Sequence, residues 1–150
     1  MNYDLDRTVG FFINRTHYMM KNNLQKVFKQ CNISNEQWII LSCIYDNDGC
    51  IQQELAKKID KDKAAITRLL DVLEKKKLIK RESSPNDRRV FLVRLTEEGI
   101  KVQENLAPLS ELSSQQALEG LSNDEIKELK LLLIKIMSNL QEGQDKDGDK

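Results

Sequence analysis

The sequence predicts a mainly α-helical fold carrying one small β-hairpin, and three observations lead there. Only two prolines and six glycines fall among 150 residues, which suits long helices better than a turn-rich sheet. Apolar residues recur at helical spacing toward both ends, from Leu5 to Phe28 and from Ile126 to Leu140. Between them, residues 50–95 read as helix, turn, helix, strand, basic loop, strand. A chain of this length suits one domain with a core large enough for stability.

The first helix is expected over about residues 5–30, with Leu5, Val9, Phe12, Ile13, Tyr18, Met19, Leu24, Val27 and Phe28 along an uneven apolar face. Cys31-Asn32 ends it. Ser34 then offers an N-cap, Gln37 completes a capping box, and Ile33 with Trp38 forms a hydrophobic staple for the second helix. The run Trp38–Ile44 is almost wholly apolar, which predicts a central place in the core. Asp46-Asn47-Asp48-Gly49 stops that helix. A third helix, about Gln52–Ile59, turns Leu55, Ala56 and Ile59 inward. Asp60-Lys61 makes the turn, and Asp62 caps a fourth helix, about Lys63–Lys76. At about 100° per residue, Leu69, Leu70 and Leu73 fall on the side of Ile66. Ala64, Thr67, Arg68, Asp71 and Lys75 fall on the outer side, which is narrow enough at its start to enter a major groove.

Leu78–Arg81 and Val90–Leu95 read as short strands. The segment Ser83-Ser84-Pro85-Asn86-Asp87 between them is dense in turn formers, so Asp87, Arg88 and Arg89 sit at a hairpin tip. Thr96 caps a fifth helix to about Leu118, with Glu97 and Glu98 in its electropositive first turn and Pro108 expected to kink it. Gly120 breaks the chain. Ser122, boxed by Glu125, starts a last helix whose Ile126, Leu129, Leu132, Leu133, Ile136, Met137 and Leu140 form a broad stripe. The folded domain is expected to span residues 1–142 and the polar tail, 143–150, to be disordered.

Charge is unevenly distributed. Between Lys57 and Arg94 stand 13 Lys/Arg against 6 Asp/Glu, a balance of +7, while the remaining 11 basic and 18 acidic residues carry −7. A net charge of zero therefore conceals a polarised molecule whose basic lobe suits a phosphate backbone. No apolar run approaches the roughly 18–20 residues that span a bilayer. The start MNYDLDRTVG lacks the basic and apolar regions of a signal peptide, so the expected compartment is cytoplasmic. Cys31, Cys43 and Cys50 form no C-x-x-C pair and, with the single His17, make no regular zinc spacing; reduced thiols and no cofactor are expected. No Gly-rich phosphate loop, H-E-x-x-H or G-x-S-x-G occurs, which argues against an enzyme.

The order of elements is that of a winged helix–turn–helix flanked by long terminal helices. The residues that fit are Glu54-Leu55-Ala56, Ile66-Thr67-Arg68-Leu69, Leu73-Glu74-Lys75-Lys76, Ile79-Lys80-Arg81, and Asp87-Arg88-Arg89 followed by Leu95-Thr96. In this order and spacing the chain resembles the MarR family (multiple antibiotic resistance regulators) over about residues 5–140. The resemblance implies a DNA-binding lobe at about 34–95 and dimerisation helices at about 5–30 and 97–141. It implies a homodimeric transcription regulator, a repressor released by a small-molecule effector, on a pseudo-palindromic operator with half-sites about one helical turn apart. Two departures stand out. Ala64 and Ala65 replace the hydroxyl residues frequent early in the recognition helix, leaving methyl contact with thymine. Gly10 stands where peroxide-sensing relatives carry their reactive cysteine.

The expected DNA contacts are then specific. Arg89 enters the minor groove with Asp87 holding its guanidinium, and Arg88 stands beside it. Lys63, Ala64, Thr67 and Arg68 face bases or phosphates. Lys75, also counted with this set, shares two open readings with Lys76, Lys77, Lys80 and Arg81: phosphate contact or a solvated face. An effector pocket is expected near Phe12, Arg15 and His17 on the first helix, with Trp38 as core or back wall and Arg15 either facing an anionic or aromatic ligand or standing as a surface or interface arginine. Two other functions stay open: a thiol-based redox sensor of the same fold, and a winged-helix protein-interaction module that does not bind DNA.

Overall fold

The computed structural model describes the backbone of residues 8–147 and the side chains of residues 8–141. Its elements follow the expected order: α1 (Val9–Phe28), α2 (Asn35–Asp46), β1 (Cys50–Ile51), α3 (Gln52–Lys58), α4 (Lys63–Lys75), β2 (Ile79–Ser83), β3 (Phe91–Leu95), α5 (Glu97–Ala117) and α6 (Asn123–Asp147). A 3₁₀ turn at Lys29–Cys31 and left-handed Asn32 (φ 53°) lead from α1 into α2. The chain divides into two compact units after Ser114, within α5.

Local chemistry starts the helices. Ser34 Oγ accepts the Gln37 N–H at 3.1 Å and Gln37 Oε1 accepts the Ser34 N–H at 3.2 Å, closing the predicted box. Asp62 Oδ1 accepts the Ala65 N–H at 2.7 Å, and Ser122 with Glu125 forms a second complete box. Thr96 works twice: Oγ1 accepts the Gly99 N–H at 3.0 Å and donates to the Lys77 carbonyl at 2.7 Å. The helix α1 starts later than expected, at Val9, because Thr8 Oγ1 caps it by accepting the Phe11 N–H at 3.2 Å. Leu5, expected on the apolar face of this helix, lies outside the described residues.

In the first unit the core gathers Phe28, Ile33, Trp38, Ile40, Leu41, Ile44, Leu55, Ile66, Leu70, Leu73, Leu78, Ile79, Val93 and Leu106, all buried. As predicted, α2 is central to it, supplying Trp38, Ile40, Leu41 and Ile44, more than any other element. Polar ties set the angle of α1 on α2: Gln25 Nε2 donates to the Ile33 carbonyl and Gln25 Oε1 accepts the Asn35 N–H, while Asn35 Nδ2 donates to the Lys21 carbonyl at 2.7 Å. Asn23 Nδ2 donates to Ser113 Oγ at 2.9 Å, joining α1 to α5.

The sheet is antiparallel in the order β1-β3-β2. β2 and β3 pair from Ile79 with Leu95 to Ser83 with Phe91, the predicted hairpin with its strands shifted by one or two residues. β1 was not expected. Its Cys50 and Ile51 lie opposite Val93 and Leu92, and two residues carry no alternation from which to read a strand. The helix α5 passes through Pro108 without a break. Pro108 and Glu104, whose carbonyl loses its partner, are both exposed, so water can satisfy that carbonyl.

In the second unit, α6 buries none of its described residues; Leu129, Leu131, Leu132, Ile134, Met137 and Leu140 stay exposed. Its backbone stays helical through Asp147, into the segment expected to be a disordered tail. Residues 148–150 of that tail lie outside the described residues.

Candidate nucleic-acid interface

Burial orients α4. Ile66, Leu70 and Leu73 are fully buried, so Lys63, Ala64, Arg68, Asp71 and Lys75 face outward, as the 100° periodicity requires. Thr67 is half-buried on the flank. Its Oγ1 donates to the Lys63 carbonyl at 2.8 Å and accepts from Gln52 Nε2 at 2.8 Å. Gln52, the first residue of α3, was not singled out by the sequence; a lone glutamine at a helix start carries no signal of its own. The α4 C-terminus closes through a Schellman arrangement in which Leu78 N–H donates to the Leu73 carbonyl and Lys77 takes a left-handed conformation (φ 61°).

The hairpin carries its arginine as expected. Asp87 Oδ1 accepts the Arg89 backbone N–H at 2.9 Å and the Arg89 Nε–H at 3.3 Å. The guanidinium is thus held from its root while its side chain remains 92% exposed. Arg88 is exposed beside it.

Ion pairs separate the basic residues that the sequence left undivided. Arg81 Nη2 donates to Asp71 Oδ1 at 2.6 Å and to Glu74 Oε2 at 2.5 Å, which fastens the hairpin to α4. The Arg81 guanidinium holds the Glu74 carboxyl below its ordinary range, and Glu74 in turn raises Arg81. Lys76 Nζ donates to the Asn32 carbonyl and to Gln37 Oε1 at 3.1 Å, tying α4 to the start of α2. Lys80 pairs with Glu82 at 2.6 Å, and Arg94 bridges Asp48 and Glu82. For the side chains of Lys76, Lys80 and Arg81 the structure thus supplies intramolecular partners, whereas those of Lys75 and Lys77 have no ion pair among the described residues. Lys57, Lys58, Lys63, Arg68 and Arg88 likewise have no ion pair among the described residues. The cations left available cluster at the end of α3, along α4 and at the hairpin tip.

Phe12, Arg15 and His17 are exposed on α1. Trp38 is not beside them. It is 9% exposed, with its ring centroid 5.4 Å from that of Phe28. At a rise of about 1.5 Å per residue, Arg15 lies about 20 Å along α1 from Phe28, so within one protomer these residues do not line one cavity. Trp38 is a core residue, because the staple with Ile33 draws its ring inward. Two open clefts lie elsewhere: one of 390 Å³ lined by Cys43, Asn47, Asp48, Gly49, Cys50, Glu54, Leu55 and Lys58, and one of 310 Å³ lined by Ile44, Tyr45, Asp48, Lys80, Arg94, Leu95 and Ile100. Burial pushes the Cys50 thiol up to about 11 and raises Cys43 as well, which makes both poor thiolates. Cys31 is exposed.

A sequence model of the MarR family matches residues 33–91, from the staple residue before α2 to the first residue of β3. The transcriptional regulator MgrA of Staphylococcus aureus is 30% identical over 121 residues, 81% of each chain. Among solved structures, the complex of S. aureus MepR with DNA superimposes with a TM-score of 0.82 at 30% identity, covering 88% of this chain and 98% of that one. BpsR of Bordetella bronchiseptica, studied for regulation of its DNA binding by 6-hydroxynicotinic acid, gives a TM-score of 0.84 at 25% identity, covering 91% of this chain and 98% of that one. No helix among the described residues is long and apolar enough to cross a membrane.

Proposed function

The chain belongs to the MarR family, and from that premise we propose that it is a homodimeric, sequence-specific DNA-binding regulator of transcription, a repressor that a small effector releases. Working on genomic DNA, it acts in the cytoplasm and carries no catalytic function. The observation that supports this reading is the Asp87–Arg89 arrangement: a carboxylate holds an arginine by its backbone N–H and its Nε–H while the side chain stays 92% exposed. A folding role would bury that group; a minor-groove role requires it exposed and aimed. Lys63, Ala64, Thr67 and Arg68 supply the major-groove face of α4, and Lys75 and Arg88 contact phosphates.

Two-fold pairing of the chains brings two such lobes to a pseudo-palindromic operator, with half-sites about one turn apart. The effector site is placed on the exposed face of α1 around Phe12, Arg15 and His17, where Arg15 suits an anionic or aromatic ligand. The regulated DNA binding of BpsR supports the existence of such a site in this fold. The test is a salt titration of binding to random duplex, expected to weaken steeply as counterion release predicts. Binding indifferent to salt, or none, would instead favour a protein-interaction module.

A further inference from the structure

One hydrogen-bonded chain links the two helices of the DNA-binding motif. Gln52 opens α3, and its Nε2 donates to Thr67 Oγ1 on α4 at 2.8 Å. The Thr67 hydroxyl donates to the Lys63 carbonyl, one turn earlier, at 2.8 Å. A threonine hydroxyl has one proton and two lone pairs. Here the proton is committed to Lys63 and one lone pair to Gln52. What remains is a single lone pair beside the γ-methyl group.

We propose that Gln52 is a positioning residue that gives Thr67 a fixed polarity, an acceptor next to a methyl group, and thereby sets the base preference at one position of each half-site. The inference rests on the DNA-binding reading above. In the major groove an acceptor pairs with the N6 amino group of adenine or the N4 amino group of cytosine, and a methyl group packs on the C5 methyl of thymine. Guanine presents only the acceptors N7 and O6 and therefore needs a donor. A threonine free to turn its proton serves either kind of edge; Thr67 held by Gln52 refuses guanine. The packing of α3 on α4 does not need this bond, since Leu55, Ile66 and Leu70 are already buried there.

The experiment uses the full chain. Duplexes bound by the wild type are selected from a random pool, and each position of the selected operator is then substituted in turn. Binding profiles are compared for wild type, Gln52→Leu, Gln52→Glu, Thr67→Val and the Gln52→Leu/Thr67→Val double variant, with thermal melting to verify folding. The wild type is expected to disfavour guanine about 5-fold at one position per half-site, falling to about 2-fold or less in Gln52→Leu and Thr67→Val. The double variant should match Thr67→Val alone. Gln52→Glu should bind more weakly at every position yet keep the preference, because its carboxylate accepts the Thr67 proton and still leaves the hydroxyl an acceptor toward the base. Gln52→Leu with the wild-type profile, or with preferences weakened equally everywhere as lost packing would cause, overturns the proposal. A wild type that selects no operator and shows no salt-dependent binding fails the underlying reading instead.

Discussion

At the scale of single residues, exposure separates what holds the protein together from what faces its partner. Arg68 and Arg89 are exposed, and among the described residues no buried group relies on either. Their replacement by alanine should change stability by less than about 0.5 kcal/mol. Operator binding should weaken in both, by about 1–3 kcal/mol for Arg68 if it reads a base. Gel-shift titration beside urea denaturation checks the pair, and normal operator affinity in both variants would contradict the docking. Gly99 is the opposite case. A Cβ built there would lie 2.0 Å from the Leu78 carbonyl oxygen, so α5 can start against the hairpin only with glycine at this position. Gly99→Ala should cost about 2 kcal/mol or more, read as a lower urea midpoint. Cys50 gives a pH signature. Its thiol sits near 11 in the fold against an ordinary 9.0, so the unfolded chain ionises first. The stability it contributes is complete below pH 9 and is lost as pH rises toward 11. Cys50→Ala should flatten the fall of the urea midpoint across that window.

Among elements, the hairpin depends on Arg81, whose two carboxylate partners both lie on α4. Arg81→Ala should cost about 1 kcal/mol of stability and weaken binding to every DNA sequence alike, because it loosens the support and not the reading face. An unchanged melting temperature would show that the pair is only a surface contact. This residue also marks where sequence reading stopped. The caps at Ser34, Asp62, Thr96 and Ser122 were legible because donor and acceptor lie three residues apart. The roles of Lys76 and Arg94 were not, because each depends on a partner about 40 residues away or more. Strand β1 escaped for the same reason. The outward face of α4 and the Asp87–Arg89 grip were legible, being consequences of helical period and of one short loop. The split of Trp38 from Phe12, Arg15 and His17 was not: helical spacing says which residues share a face, not how far along the axis another helix crosses.

For the molecule as a whole, the apolar residues of α6 set the expectation. So many exposed Leu, Ile and Met side chains on one helix form a hydrophobic patch of the kind that partners cover. The full chain should sediment at about twice 17.4 kDa, and a chain ending at Gly120 should not; a full-length monomer at micromolar concentration would refute dimerisation. Strand β1 bears on how such a dimer can adapt to DNA. Because Cys50 and Ile51 pair with the middle strand of the sheet and run directly into α3, the hairpin is stitched to the helix–turn–helix rather than hung from it. Arg94 on that middle strand crosses the turn at Gly49, with its guanidinium 3.1 Å from where a Cβ would sit, and pairs with Asp48. The base of the hairpin and the start of α3 are then expected to move as one piece, like the jaws of a locked caliper. An operator whose half-sites are spaced differently should then be met by turning one protomer against the other.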